Sequence, residues 1–227
     1  MAAENRTRPG PRDRFRAQVR QEVKTAALRQ LAEGGPEALS LNAIAKQVGM
    51  TGPALYRYFA NRDSLLTELV IDAYGDLTST LARAAEGTPQ DAAARLTSVV
   101  RAYRDWALAE PHRYRLLFRA PLQGYDAQST SLVEAAQPAM TVVLDVVSAL
   151  ANPDTAVSQD SGAQFEEWMK RHGIEDVTTA VASRATILWA RLHGLVSLEI
   201  EGNFASMGID PAPLFEAEVQ DFARRIP

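Results

Sequence analysis

Apolar residues recur every three or four positions along most of the chain, the repeat of a helix with one buried face. The pattern holds no convincing strand and no internal repeat, so the expected fold class is all-α. A first helix is predicted from Asp13 to Glu33, with Phe15, Val19, Leu28, Leu31 and intervening alanines as its buried stripe. Gly34 and Gly35 end it. Leu41 to Val48 forms a second, with Ile44 and Val48 on one face and small Ala45 where another helix would cross closely. Gly49 accepts a left-handed turn. Thr51 is placed to cap a third helix whose inner face carries Leu55 and Phe59. Asn61 reads as the cap of a fourth helix reaching about Ala85, with Leu65, Leu66, Leu69, Ala73, Leu77 and Leu81 inward.

The rest of the chain is helical by the same test. Thr88-Pro89 followed by Asp91 supplies a hydroxyl cap, a first-turn proline and an early acid for a helix running to Ala109. His112 to Phe118 is a short helix closed by Pro121 and Gly124. Ser129 to Leu150 carries Pro138, which should kink or split it. Between Asn152 and Gly173 the phrase DTAVSQDSGAQ reads as loop and Phe165 to His172 as a short helix. Glu175 to Asn203 is a long helix, and Asp210 to Arg225 is the last.

Two short helices at a steep angle, joined by a turn containing glycine, make a helix-turn-helix over Ser40 to Phe59. In such a motif the second helix enters the DNA major groove. Ser40, Tyr58 and Arg62 suit phosphates, being a hydroxyl at a helix start, a phenol at the groove edge and an arginine opening the next helix. The backbone at Thr51 and Gly52 offers N–H groups to a phosphate. Tyr56 suits a phosphate or thymine methyls. Arg57, the one charged side chain on the recognition helix, suits bidentate contact to guanine. Pro53 and Ala54 can give only apolar contact, which shifts specificity onto Arg57 and DNA shape.

The run GGPEALSLNAIAKQVGMTGPALYRYFANRDSLL resembles the N-terminal domain of the TetR family of bacterial transcriptional regulators, over about Phe15 to Leu81. The phrases LWARLHGLVSLEIEGNF and HRYRLLFRAPLQGY resemble the family's C-terminal domain named for Trp, His and Gly, here Trp189, His193 and Gly194. Residues 1–12, polar and arginine-rich with Pro9, Gly10 and Pro11, are expected to form a disordered basic tail, read either as an arm for phosphates or the minor groove or as a solvated tail. Beyond it come a helix-turn-helix domain over 13–60, a connecting helix over 61–86, and a ligand-binding and dimerisation bundle over 87–227, as the resemblance implies. It also implies a homodimer joined through the last two helices, a double-stranded DNA operator and a largely apolar small-molecule effector. Pro53 and Ala54 depart from the glycine or longer polar residue that the family often carries there.

Charge supports this division. Through Arg62 there are eleven Lys and Arg against five acids, a net of +6, whereas the remainder carries −10. A basic head on an acidic body suits one face meeting phosphate. No apolar run approaches the roughly 18 residues that cross a bilayer, and no signal-peptide core stands at the N-terminus. A cytoplasmic protein without a membrane partner is therefore expected, and the absence of cysteine suits that compartment.

Tyr103, Trp106, Phe118, Met140, Trp189 and His193 can be read as lining an effector pocket with His193 as polar anchor, or as ordinary core of the bundle. An enzyme is not expected. The chain has no G-x-S-x-G, H-E-x-x-H or P-loop, and His112, His172 and His193 lack metal-ligand spacing, so neither a metal nor a cofactor is anticipated. The leading function is a repressor released by its effector. An activator of the same fold and a helical small-molecule-binding protein are the alternatives.

Overall fold

The computed structural model describes residues 10–87, 91–119, 125–126, 129–150 and 159–224. Among them every regular element is a helix. In order these are α1 (Pro11–Gly34), a 3₁₀ turn (Pro36–Ala38), α2 (Leu41–Gln47), α3 (Gly52–Leu55), α4 (Arg62–Glu86), α5 (Ala92–Ala109), α6 (Pro111–Phe118), α7 (Thr130–Ser148), α8 (Gln159–Arg171), α9 (Thr179–Ile200), α10 (Asn203–Ser206) and α11 (Ala212–Arg224). The chain divides into one unit of Met1–Val70 with Arg115–Ala127 and another of Ile71–Tyr114 with Gln128–Pro227. Helix α4 begins in the first unit and ends in the second. Of the disordered tail expected over 1–12, residues 1–9 lie outside the described residues, whereas Pro11 and Arg12 already belong to α1, which Gly10 and the first-turn proline open.

In the first unit Val19, Val23, Ala26, Ala27 and Leu31 of α1 are buried, as are Leu41, Ile44, Leu55, Phe59, Leu65 and Leu66, with α1 packed on α2 and α2 on α3. Phe15, expected in the buried stripe, is 63% exposed. Residues 11–18 are all exposed, so the apolar stripe of α1 outruns whatever covers it. Helix α4 starts as its sequence predicts. Asn61 Oδ1 accepts from the Ser64 N–H at 2.7 Å, and Ser64 Oγ accepts from the Asn61 N–H at 3.1 Å. This reciprocal pair satisfies backbone donors that the first turn leaves open.

In the second unit α9 is the central element, packed against α5, α7, α8, α10 and α11. Four expectations change here. Asp91 is the N-cap of α5, accepting from the N–H groups of Ala93 and Ala94, while Thr88 and Pro89 lie outside the described residues. Pro138 does not split α7: the proline is exposed, and Leu132, Ala139, Val143, Leu144, Val146 and Val147 bury the opposite face. That burial offsets the roughly 3 kcal/mol which an interior proline costs a helix. Helix α8 begins at Gln159, inside the stretch read as loop, because its later residues dock on α9. Helix α9 starts at Thr178, whose hydroxyl accepts from the Val181 N–H, and ends where Gly202 turns left-handed. One further point bears on the membrane expectation. By length and composition α7 is apolar enough to cross a membrane, although its packed face is that of a core helix.

Candidate nucleic-acid interface

The helix-turn-helix is set by its caps. Ser40 Oγ accepts from the Ala43 N–H at 3.4 Å to open α2, and Gln30 accepts from the Ser40 N–H at 2.9 Å. At the other end Gly49 has φ of 70°. The Met50 N–H reaches the Ala45 carbonyl at 2.8 Å, and the Gly49 N–H reaches Lys46 at 3.3 Å. These two bonds form a Schellman motif, which satisfies carbonyls that the helix end leaves open and turns the chain sharply.

Helix α3 departs from expectation in two ways. Thr51 is the N-cap residue, but its side chain makes no capping bond. Pro53 has no N–H to offer, and the Ala54 N–H is already held by the Thr51 carbonyl at 3.0 Å. The hydroxyl of this exposed residue is therefore available to an outside partner. Second, α3 ends at Leu55, and residues 56–58 continue as a tighter turn in which the Tyr58 N–H donates to the Leu55 carbonyl at 2.8 Å. Leu55 and Phe59 are each 1% exposed and fix this segment to the core. Pro53, Tyr56 and Arg57 stand outward, while Gly52, Ala54 and Tyr58 are half-buried.

Two side chains brace the segment from behind. Arg20 of α1 lies 4.7 Å above the Phe59 ring, donates to the Tyr58 carbonyl at 3.0 Å and pairs with Glu68 of α4. Lys24 reaches the same carboxylate at 3.3 Å. Neither Arg20 nor Glu68 carries any signal in the sequence, because their pairing joins helices 48 residues apart. Arg62, read as a phosphate contact, donates to the Pro36 carbonyl and lies 3.9 Å from Glu37. Its guanidinium braces the 3₁₀ turn, whereas Arg57 has no ion pair among the described residues. The structure thus brings Ser40, Thr51, Gly52, Pro53, Ala54, Tyr56, Arg57 and Tyr58 into one helix-turn-helix and points Arg62 at its own backbone.

The residues proposed for an effector lie in different surroundings. Tyr103 is 2% exposed and its ring sits 4.9 Å from that of Trp189. Both line an apolar cavity of about 10 Å³ with Leu81 of α4, Leu96, Val99 and Val100 of α5, Val143 and Val146 of α7, and Leu188 and Leu192 of α9. Burial pushes the Tyr103 phenol far above its ordinary pKa, with the nearby Tyr114 adding to the effect. Its hydroxyl makes no hydrogen bond of acceptable geometry. His193 does not line the cavity. Its Nδ1 lies 2.8 Å from the Tyr114 hydroxyl, and burial lowers its pKa. Trp106 donates from Nε1 to Asp76 at 2.9 Å, an acid that also takes Arg113 at 3.0 Å. Met140 is half-buried on α7, and Phe118 belongs to the first unit, at the end of α6. Among the described residues no group of His, Asp and Glu could hold a metal ion.

Comparison with known proteins agrees with this geometry. Residues 25–69 match the family described as bacterial regulatory proteins, tetR family. Residues 96–222 match the tetracyclin repressor-like C-terminal domain, a description that does not name the Trp-His-Gly motif. The chain is 34% identical over 221 residues to the HTH-type transcriptional regulator Rv1816 of Mycobacterium tuberculosis, covering 94% of each. The crystal structure of SCO4313, described as a regulatory protein, is similar at 41% identity and a TM-score of 0.78, covering 94% of this chain and 98% of that one. The fold also matches the transcriptional regulator FadR of Bacillus subtilis in complex with stearoyl-CoA, at 14% identity and a TM-score of 0.59, covering 89% and 97%. These relatives are regulators and not enzymes. With a helix-turn-helix domain matched over residues 25–69 and a repressor-like C-terminal domain matched over 96–222, the chain belongs to the TetR family of transcriptional regulators.

Proposed function

We propose that this protein is a cytoplasmic repressor that binds a near-palindromic operator as a homodimer and leaves it when a largely apolar small molecule enters the second unit. The observation that carries the DNA half is the recognition segment itself. Leu55 and Phe59 anchor it, Arg20 braces it, and Thr51, Pro53, Tyr56 and Arg57 are left outward with Arg57 unpaired. A rigid segment that spends its apolar residues on anchoring and presents one guanidinium suits groove reading. Ser40 keeps its hydroxyl hydrogen for a phosphate while its oxygen caps α2.

Support for the dimer comes from α9. A Cβ added at Gly194 would meet nothing within 4 Å, so among the described residues no neighbouring helix explains a glycine there. Ile187 and Leu198, seven residues before it and four after, are 47% and 44% exposed. Such a face suits the α9 of a second copy.

Support for effector release comes from the cavity. It has room for about one water, so an effector must favour a minor, expanded packing of α5, α7 and α9. Leu81 of α4 lines the same space, so expansion there bears directly on the helix that carries the head. An acyl-CoA, the class held by the Bacillus FadR neighbour, is the first probe.

The test is transcription in vitro from a promoter overlapping a site selected from random DNA by the purified protein. Less transcript with protein, restored by an apolar ligand, is the expected result. More transcript would make the protein an activator, and a ligand that binds without moving operator affinity would end the release mechanism.

A further inference from the structure

We infer that the first two turns of α1 are a second DNA contact, in which Arg12 and Arg16 hold phosphates beyond the stretch that the recognition segment reads. The inference rests on the DNA-binding reading above and extends it to a different element. Residues 11–18 are exposed without exception, and Phe15 is 63% exposed, so this part of the helix stands clear of the core. Within it Arg12, Arg14 and Arg16 face a single acid, Asp13, and none of the three has an ion pair among the described residues. Elsewhere in the same unit Arg20, Lys24 and Arg62 are each taken up by a carboxylate.

Position then decides which partner suits these cations. Arg12, Arg16 and Arg20 follow at four-residue spacing and share one side of α1. Arg20 is fixed, because it lies against Phe59 and donates to the Tyr58 carbonyl at the end of the recognition segment. The stripe therefore starts at that segment and runs about 12 Å along α1, at 1.5 Å per residue. Duplex DNA presents a phosphate roughly every 3.4 Å of axis on each strand, so this reach passes about three phosphates. Long, flexible, unpaired guanidiniums suit that target and carry no base code. The sequence places Arg6 and Arg8 upstream on the same polar stretch. Phe15 is the apolar residue of this surface and can pack on sugar edges between the two arginines.

The test compares full-length wild type with the double variant Arg12→Gln, Arg16→Gln, and with Arg57→Ala as reference. The probes are a duplex selected from a random library by the wild type and a scrambled duplex of equal length. Affinity is measured over a series of salt concentrations. The double variant should bind both duplexes more weakly, with the slope of log affinity against log salt reduced by about 2 per head. Its preference for the selected duplex should persist, and hydroxyl-radical protection should shorten at the outer flank. Arg57→Ala should instead lose preference. A double variant with the wild-type slope and footprint overturns the inference and leaves the helix-turn-helix reading intact. A wild type that binds neither duplex overturns both. Unchanged helical content and melting temperature in the double variant separate lost contact from lost fold.

Discussion

Gly49 and Gly75 are the same residue under opposite demands. Gly49 turns the chain between α2 and α3 with φ of 70°, a conformation that costs other residues about 1–2 kcal/mol. Gly49→Ala should therefore lower stability by about that amount in urea unfolding. Gly75 lies inside α4, where an added Cβ meets nothing within 4 Å. Gly75→Ala should raise stability by about 0.5–1 kcal/mol, read as a higher melting temperature. The role of Gly49 was legible because a glycine between two short amphipathic stretches has few other uses. The failed Thr51 cap was half legible. Pro53 stands in the sequence, but the tightening that commits the Ala54 N–H appears only in the folded turn. His193 titrates in a defined sense. Burial lowers its folded pKa, so its neutral form contributes stability that is present above the unfolded value near 6.5 and is lost as pH falls through that region. His193→Gln should flatten the drop in melting temperature between pH 7.5 and 5.5. A drop equal to wild type would assign the pH dependence to other groups.

Among the elements, α2 and α4 follow their sequences closely because cap, periodicity and stop agree in each. Helix α8 does not, since Asp160, Ser161 and Gly162 are poor helix formers and the residues that hold it against α9 come later. Helix α7 misleads in the other direction. Its proline argues for a break, yet an outward proline with an apolar opposite face leaves the packing intact. The buried stripe of α1 stops short of Phe15, because periodicity marks that residue as core without saying whether another element reaches that far. Helix α9 carries a prediction of its own. If a second copy crosses at Gly194, then Gly194→Leu should weaken dimerisation at least tenfold in sedimentation while leaving the isolated helix stronger. A Gly194→Leu protein that dimerises like wild type would move the interface elsewhere.

For the molecule as a whole, the sequence yields the all-helical class and the basic head, and it yields most of the recognition segment. It does not yield the brace behind that segment. Arg20, Lys24 and Glu68 meet only through tertiary folding, as do Arg104 of α5 and Glu199 of α9, which form a mostly buried bidentate pair at 2.6 and 2.8 Å. The effector residues divide for the same reason. Tyr103 and Trp189 border the apolar cavity, while His193 turns to Tyr114 and Trp106 turns to Asp76. The account as a whole rests on a head that reads sequence, and not merely charge. The most direct test is anisotropy titration of the full chain against DNA flanking its own gene and a scrambled duplex, each at a low and a higher salt concentration. A preference for the flanking DNA that survives the higher salt is the predicted result. Equal binding to both duplexes that vanishes as salt rises would contradict it.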